Sequence, residues 1–359
     1  MKLTEKITAI VVMTFIMGIS TAVIFGGGLT EGASGVSKKD ILIGSAGDKL
    51  TESVADKLPF VKQWRSIGAE TGSKTGEPVV NDVYISEERL LDVSERSLSS
   101  AVNFAKAVNS FDKSYGGTLY FAAIPTSTGI YGDNLPSYLS SVTEKQLTDR
   151  LYDEIDGNIR KIDAYTILKM LSENYICCRS DTKWTSYGAY CVYRTVIQKL
   201  GFIPISYDKY TIRHVTDNYH GNLYSRTGYM ESKADILDIY EYNDGTEIIE
   251  CVGTDFDGVS RDIGLYDIDA VESGNPYNLY LGEPMAFIKI RTTVNNEKSL
   301  LVIGDETADC FIPFLTKHYS EIAFISVDCC GENIKEYVDA DRYEQALFLV
   351  GLDYITEKY

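Results

Sequence analysis

Three histidines are the imidazole candidates for a general base, and their sequence context argues against that role. They are His214, His220 and His318. A serine or cysteine nucleophile needs a base within hydrogen-bonding reach, and the base needs a carboxylate that orients it. His214 and His220 fall in an irregular stretch, and His318 lies near the end of an apolar helical segment. We therefore interpret all three as solvated or core side chains.

Metal and cofactor chemistry is not indicated by the spacing of the possible ligands. The seven cysteines include adjacent pairs at 177–178 and 329–330, but no Cys-x-x-Cys with partner histidines, so we predict neither zinc nor another cofactor. Asp255, Asp257 and Asp262 form a short acidic loop that lacks the spacing and terminal glutamate of an EF-hand, which leaves calcium as a minor alternative. Because several cysteines lie in apolar runs, we interpret them as buried free thiols.

The overall composition excludes one large class of partner. The chain has 359 residues, is 44% hydrophobic and carries a formal net charge of −18. That length and apolar content suffice for a large core, and an acidic surface of this size repels phosphate backbones. We therefore do not expect nucleic-acid binding.

The N-terminus predicts a membrane anchor or a signal segment at 1–30. Residues 7–29 carry no charge, follow two lysines and are long enough to span a bilayer as a helix. Small residues at 33–35 would allow cleavage instead. Residues 31–58 read as a linker. In either case the rest of the chain is expected to lie outside the cytoplasm.

Beyond the linker, the alternation of apolar runs with helical patterns predicts an α/β fold. Strands are expected at 117–125, 299–305, 321–328 and 345–352. Helices are expected at 95–110, 143–153, 158–174, 186–200, 308–318 and 333–338. Continuous apolar strands separated by helices indicate a parallel sheet with helices on both faces. The working site of such a sheet lies beyond the carboxyl ends of its strands, here at 125–130, 304–307 and 328–331.

Three segments, in order along the chain, resemble the DHHW family. They are RSDTKWTSYGAYCVY at 179–193, GNLYSRTGY at 221–229 and VIGDETADCFIPFLTKHYSEI at 302–322. The DHHW family is SGNH-hydrolase-like and related to alginate O-acetyltransferase proteins. The resemblance implies a three-layer αβα fold with a parallel sheet over 59–359 and a β-rich insertion at about 202–290.

The resemblance also implies which catalytic groups this chain lacks. The nucleophilic serine position holds Glu306, and the histidine position of the D-x-H element holds Lys183, whereas Asp181 keeps the family identity. The stretch that should supply an oxyanion-hole asparagine reads LGEPM, with Pro284 in place of the asparagine. Proline has neither a side-chain amide nor a backbone N–H. The resemblance therefore implies a pseudoenzyme that forms no acyl-enzyme.

If the family geometry holds, Asp181, Lys183 and Glu306 lie together. We expect the ammonium of Lys183 to pair with both carboxylates, as a static cluster in place of an Asp–His–Ser chain. Glu306 would sit at a helix start, where the macrodipole favours an anion. The alternatives are an active envelope O-acetyltransferase or esterase and a hydrolase that uses Glu306 and Asp181 as its carboxylate pair, which needs one raised pKa.

A binding role is the favoured prediction for this pseudoenzyme. The resemblance implies cell-envelope polysaccharide, or an assembly partner protein, as what it binds. Aromatic side chains supply flat apolar contact area with a polar edge. The predicted binding residues are Trp184, Tyr131, Tyr224 and Tyr229, and further tyrosines that could line a glycan groove are Tyr219, Tyr277 and Tyr280.

Overall fold

One large β-sheet organises most of the residues that the structure describes. This computed structural model describes residues 78–139, 141–272, 275–328 and 334–359. The contacts divide the chain into a large unit, Val79–Arg226 with Glu231–Tyr359, and a second unit, Met1–Pro78 with Thr227–Met230. The predicted anchor and linker, and Cys329 and Cys330, lie outside the described residues. Within those residues no helix is long and apolar enough to cross a bilayer.

The elements follow in chain order. The strands are β1 (Val79–Val80), β2 (Val83–Ile85), β3 (Leu90–Asp92), β4 (Thr118–Ile124), β5 (Arg160–Lys161), β6 (Thr211–Tyr219), β7 (Asp235–Glu241), β8 (Ile248–Thr254), β9 (Ser260–Asp262), β10 (Phe287–Thr292), β11 (Ser299–Gly304), β12 (Glu321–Ser326) and β13 (Gln345–Gly351). The α-helices are α1 (Leu98–Ser114), α2 (Ser127–Tyr131), α3 (Glu144–Glu154), α4 (Ala164–Met170), α5 (Ser186–Lys199), α6 (Asn222–Thr227), α7 (Ile312–Leu315), α8 (Ile334–Tyr337) and α9 (Leu352–Lys358).

The main sheet has the strand order β5-β4-β13-β11-β12-β10-β8-β9. Its first five strands are parallel, and β10, β8 and β9 extend it by antiparallel pairing. Three strands from the predicted β-rich region thus join the main sheet, whereas β6 and β7 form a separate antiparallel ribbon. The carboxyl ends of β4, β11 and β13 meet at one edge, because parallel neighbours run in the same direction.

Apolar residues fill both faces of the parallel strands. Along β4, Tyr120, Ala122 and Ile124 belong to one core cluster, and Leu119, Phe121 and Ala123 belong to the other. The first cluster includes residues of α4, α5 and α7, and the second includes residues of α1, α3 and α9. A strand that packs against helices on both sides must be apolar throughout, which explains its continuous run. The three-layer αβα arrangement predicted from the sequence is confirmed.

Two predicted helices are shorter in the structure than their patterns suggest. In the 158–174 region, Arg160–Lys161 pairs with β4, and α4 starts only after Asp163, whose Oδ1 accepts the Thr166 N–H at 2.9 Å. In the 308–318 region, only Ile312–Leu315 is α-helical. Pro313 has no N–H to donate backwards, which is tolerated in the first turn of α7 but prevents the helix from extending back towards 308.

The cysteines for which the structure gives positions are buried free thiols, as predicted. They are Cys177, Cys178, Cys191, Cys251 and Cys310. Their side chains pack among apolar neighbours in the first core cluster.

Candidate functional site

Glu306 emerges where strand β11 ends at the carboxyl edge of the sheet. It begins a single turn of 3-10 helix, Glu306–Ala308, directly after Asp305. The buried carboxylate of Asp305 accepts hydrogen bonds from the Gly351 N–H and the Thr307 hydroxyl, each at 2.9 Å. These bonds join the ends of β11 and β13 and fix the turn. Burial and the nearby Asp353 raise the pKa of Asp305 to about 7.

Asp181 and Lys183 lie in the loop before α5, and a carboxylate from strand β7 fixes this loop. Asp235 is fully buried and accepts the N–H of Arg179 at 2.6 Å and the N–H of Ser180 at 2.8 Å. It also accepts the hydroxyls of Ser180, at 2.6 Å, and Tyr175, at 2.5 Å. Four donors on one buried carboxylate tie this loop to strand β7.

The expected ion cluster is present in the structure. The Lys183 Nζ lies 3.0 Å from the Glu306 Oε2 and 3.5 Å from the Asp181 Oδ1. The side chains of Asp181 and Lys183 are 1% and 12% exposed, and that of Glu306 is 43% exposed. Burial disfavours the ammonium, but Asp181 and Glu306 outweigh it and raise the pKa of Lys183. Lys183 is therefore a permanent cation and cannot accept a proton as a histidine would.

Asp181 is held ionised by several partners. Burial alone would raise its pKa, but Lys183 and the Tyr219 hydroxyl, which donates to Oδ2, lower the pKa below its usual range. The backbone N–H groups of Asn222 and Lys183 also donate to this carboxylate, at 3.1 and 3.3 Å. Gly221 makes the close approach possible, because a Cβ there would lie 2.1 Å from Asp181 Oδ2.

Three backbone donors near Glu306 and Pro284 are directed at other acceptors. The N–H of Glu306 points to Asp328 Oδ2 at 3.4 Å. The N–H groups of Leu281 and Gly282 donate to Leu265 O and Asn278 O, each at 3.1 Å. An oxyanion hole needs donors that point at the developing charge, and the nucleophile's own N–H is commonly one of them.

Three of the tyrosines predicted as possible groove residues are buried, so those predictions are wrong. Tyr219 bonds Asp181, and the Tyr277 ring lies 5.0 Å from the Lys183 Nζ. Tyr280 bonds the Ser186 hydroxyl at 2.8 Å. All three are at most 3% exposed, so their rings cannot present a face to a glycan. Tyr219 and Tyr277 contact the ion cluster directly, and Tyr280 packs on Tyr277.

The four predicted binding residues have different local environments, and their part in ligand binding stays a prediction. Trp184 is 1% exposed, stacks on Phe311 and donates its indole N–H to Thr307 O at 2.8 Å, so its burial argues against direct ligand contact. Tyr131 is half-buried under the guanidinium of Arg89, which lies 3.4 Å from the ring centroid. Half-buried Tyr224 packs on His220, with 4.2 Å between ring centroids. Tyr229 is half-buried and belongs to the second unit, Thr227–Met230.

Two of the three histidines, His214 and His318, bond to groups outside the ion cluster, whereas His220 directly follows Tyr219, whose hydroxyl bonds Asp181. His318 is buried and its Nε2 lies 2.7 Å from the Tyr193 hydroxyl, and burial lowers the pKa of His318 to about 4. The His214 Nδ1 lies 2.5 Å from Asp238 Oδ1 on an exposed surface. Among the described residues, no group of three or more His, Cys, Asp or Glu side chains is arranged to hold a metal ion.

Sequence reasoning missed Asp235, although the sequence contains a signal for it. Along β7 the buried positions alternate, with Asp235, Leu237 and Ile239 on one face. A carboxylate at a core position of an otherwise alternating strand must be satisfied by several donors. The partners themselves lie more than 50 residues away in sequence, which is why the pattern alone does not name them.

Gly188 supplies a test of how the loop is packed against α5. A Cβ at Gly188 would lie 2.1 Å from Ile176 O, a backbone atom that cannot swing away. We expect Gly188→Ala to lower the free energy of unfolding by about 2 kcal/mol, the usual scale for overpacking. Gly157→Ala is the matched control, because a Cβ there meets nothing within 4 Å. Urea unfolding curves of both variants measure this, and equal midpoints would contradict the packing argument.

The mostly parallel sheet, its two helical layers and the polar cluster at its carboxyl edge define an SGNH-hydrolase-like α/β protein. The family model described as DHHW protein matches residues 45–325, and the chain belongs to this family. No curated protein matches it.

Solved structures share the fold at low sequence identity. A DHHW family protein from Eubacterium siraeum superposes with a TM-score of 0.63 and 16% identity, over 77% of this chain and 93% of that chain. Bacillus cereus PatB1 with a sulfonyl adduct superposes with a TM-score of 0.65 and 16% identity, over 76% and 96% of the two chains. A second structure of Bacillus cereus PatB1 superposes with a TM-score of 0.64 and 18% identity, over 76% of this chain and 97% of that chain. These likenesses show a common fold.

Proposed function

We propose that this chain is a non-catalytic DHHW protein that binds polysaccharide in the cell envelope. The proposed loss of catalysis rests on the 3.0 Å contact between Lys183 and Glu306. An ammonium that stays charged stands where the family places its base, and a carboxylate stands where it places its nucleophile. Neither group can generate an alkoxide for acyl transfer. The cluster instead closes the inherited site and stabilises the loop before α5.

The proposed polysaccharide binding rests on the family resemblance and on the expected location outside the cytoplasm. The proposed arrangement is an anchor or signal segment at 1–30, a linker at 31–58 and an extracytoplasmic domain at 59–359, with a β-rich insertion at about 202–290. An envelope protein that keeps a glycan-processing fold but loses the reaction can still hold the glycan. An assembly partner protein is the other ligand that this placement allows.

A carboxylate-based hydrolase is less well supported by the site. A glycosidase pair needs one acid whose pKa is raised enough to hold a proton at neutral pH. Lys183 lies between Asp181 and Glu306 and lowers the pKa of Asp181 instead. Asp181 therefore does not supply the general acid of such a reaction.

An esterase assay tests the loss of catalysis. We expect the full chain to leave p-nitrophenyl acetate and acetylated glycans unhydrolysed above the rate of buffer. The double variant Lys183→His/Glu306→Ser should be silent as well, because Pro284 supplies no donor and the Glu306 N–H is committed to Asp328. Wild-type turnover that Glu306→Ala abolishes would refute the proposal and make Glu306 a working residue.

Affinity gel electrophoresis tests the binding half. Native gels cast with neutral glucomannan or with alginate should retard the full chain relative to a gel without polysaccharide. Retardation in at least one gel supports a polysaccharide ligand. Unchanged migration in every gel would contradict polysaccharide binding and would favour an assembly partner protein as the ligand.

A further inference from the structure

A cavity of about 490 Å³ lies beside the segment that follows strand β4, and none of the three cluster residues lines it. Its volume is within the range of about 300–1,000 Å³ that small-molecule sites occupy. Residues of α2, α3 and α4 and of the loop after α2 form its walls. The cavity is connected to the ion cluster through Ser127, which precedes the lining residue Thr128 and donates its hydroxyl to Asp181 O at 3.4 Å.

A buried ion pair builds one wall of the cavity. Arg96 and Glu144 are 6% and 3% exposed, and the Arg96 Nη2 lies 3.0 Å from the Glu144 Oε1. Glu144 also accepts the Thr126 N–H at 3.0 Å and its hydroxyl at 2.5 Å. Because these bonds join α3 to the exit of β4, the wall is rigid before any ligand arrives. A preformed wall reduces the entropy that a ligand must lose on binding.

The charged groups around the cavity neutralise one another. Arg96 is paired with Glu144, Lys145 is paired with Asp149, and Asp133 lies 2.8 Å from Lys169. With no unpaired cation among these groups and a net charge of −18 on the chain, an anionic ligand gains nothing here and is repelled at long range. The charge pattern favours a neutral ligand.

The remaining lining groups match the surface of a sugar. Leu135, Pro136 and Leu139 supply apolar contact, and the ring of Tyr165 is fixed by the bond from its hydroxyl to Gly129 O at 2.9 Å. Sugars combine apolar C–H faces, which pack on apolar side chains, with hydroxyls that need hydrogen-bond partners.

Hydroxyl side chains complete the match. Ser137 lines the cavity, and so does Thr128, whose hydroxyl is buried and has no hydrogen-bond partner among the described residues. A buried hydroxyl without a partner carries a desolvation cost that a ligand's hydroxyl can remove. Tyr138, between two lining residues in sequence, is 78% exposed and can extend the contact to a second sugar unit.

We propose that this cavity, lined by Thr128, Ser137, Leu139, Lys145 and Tyr165, binds a neutral sugar unit of an envelope glycan. The inference rests on the proposed glycan-binding function and assigns it to a place outside the inherited catalytic site. The Arg96–Glu144 pair positions the walls, and the ligand is recognised by the apolar residues of the loop after α2 and by the hydroxyls. The ion cluster of Lys183 takes no part in recognition.

Calorimetric titration of the full chain with neutral and acidic tetrasaccharides tests the proposal. The neutral probes are chitotetraose, cellotetraose and mannotetraose, and the acidic probe is tetragalacturonate. At least one neutral probe should bind, and Ser137→Trp, which fills the cavity, should weaken it at least about tenfold, equal to about 1.4 kcal/mol. Thr128→Val, which removes only the hydroxyl, should weaken it several-fold. Ser114→Trp, an exposed serine on α1, is the matched control and should bind as wild type does.

The outcomes separate this inference from the proposed function. Neutral binding that survives both Ser137→Trp and Thr128→Val would place the glycan elsewhere and overturn the cavity assignment alone. Binding of tetragalacturonate with no neutral binding would keep a glycan ligand but overturn the neutral site. If none of the four probes binds wild type, the cavity assignment and the glycan-binding function both fail. If Ser137→Trp does not fold, the conservative Thr128→Val decides.

Discussion

Replacing Lys183 with methionine is expected to lower the free energy of unfolding by about 3 kcal/mol, the scale for breaking a buried pair by removing one partner. The methionine keeps the length of the aliphatic stem but removes the ammonium that lies 3.5 Å from Asp181. Asp181 is 1% exposed and would keep its hydrogen bonds without a counter-charge. Guanidinium unfolding followed by circular dichroism measures the loss.

Two further variants separate the ion pair from simple packing. Glu306→Gln should cost less than about 1 kcal/mol, because Glu306 is 43% exposed and solvent screens its charge. The double variant Asp181→Asn/Lys183→Met should recover part of the loss, since no buried charge is then left unpaired. If the double variant is no more stable than Lys183→Met, the stabilisation comes from packing of the stem and the electrostatic explanation is wrong.

The same pair predicts a pH dependence with a definite sign. The folded-state pKa of Asp181 is lowered below the value of about 3.9 in an unfolded chain. The stabilisation of the folded state by ionised Asp181 is therefore fully present above about pH 4 and is lost as the pH falls through the folded-state pKa. Removing the ammonium of Lys183 allows burial to raise the pKa of Asp181. The stability difference between wild type and Lys183→Met should thus be largest at neutral pH. It should narrow as the pH falls, first through the raised pKa of Asp181 in the variant and then through the lowered pKa of Asp181 in the wild type.

Asp235→Ala is expected to have the larger effect, a loss of about 4 kcal/mol, because several buried donors lose their acceptor at once. The N–H groups of Arg179 and Ser180 and the hydroxyls of Ser180 and Tyr175 all donate to this carboxylate. Each buried donor left unsatisfied costs about 1–3 kcal/mol, and relaxation of the loop returns part of the sum. The loop that places Asp181 and Lys183 should loosen, which hydrogen exchange of its amides would detect as faster exchange.

Asp238→Ala is the matched control on the same strand. Its carboxylate faces His214, whose side chain is 72% exposed, so the change should cost less than about 1 kcal/mol. Asp235→Asn should lower the free energy of unfolding by an amount between those of the two alanine variants. The amide keeps one acceptor oxygen but adds a donor where donors already converge. Equal stability of Asp235→Ala and Asp238→Ala would show that the four hydrogen bonds do not hold the loop.

The local pattern of the sequence was sufficient for the fold class. The apolar run of β4 is continuous because helices pack on both of its faces, and that run is visible without coordinates. The C-terminal helix α9 was missed, and the 158–174 segment was predicted as one helix. The latter error arose because β5 is only two residues long and is defined by pairing with β4. Pairing between distant segments leaves little trace in a short stretch of sequence.

For the candidate site, too, some features follow from the sequence and others only from the tertiary structure. The sequence, through its resemblance to the DHHW family, predicted that Glu306 and Lys183 occupy the nucleophile and base positions, and it determined the chemistry of those side chains, which depends on residue type alone. Only the tertiary structure decided which side chains are buried and which contact which. Tyr277 was predicted from the sequence to line a glycan groove, yet its buried ring packs against Lys183. Asp235 holds a loop that lies more than 50 residues away in sequence. Burial and hydrogen-bond partners are set by tertiary packing, which brings together residues that the sequence keeps apart.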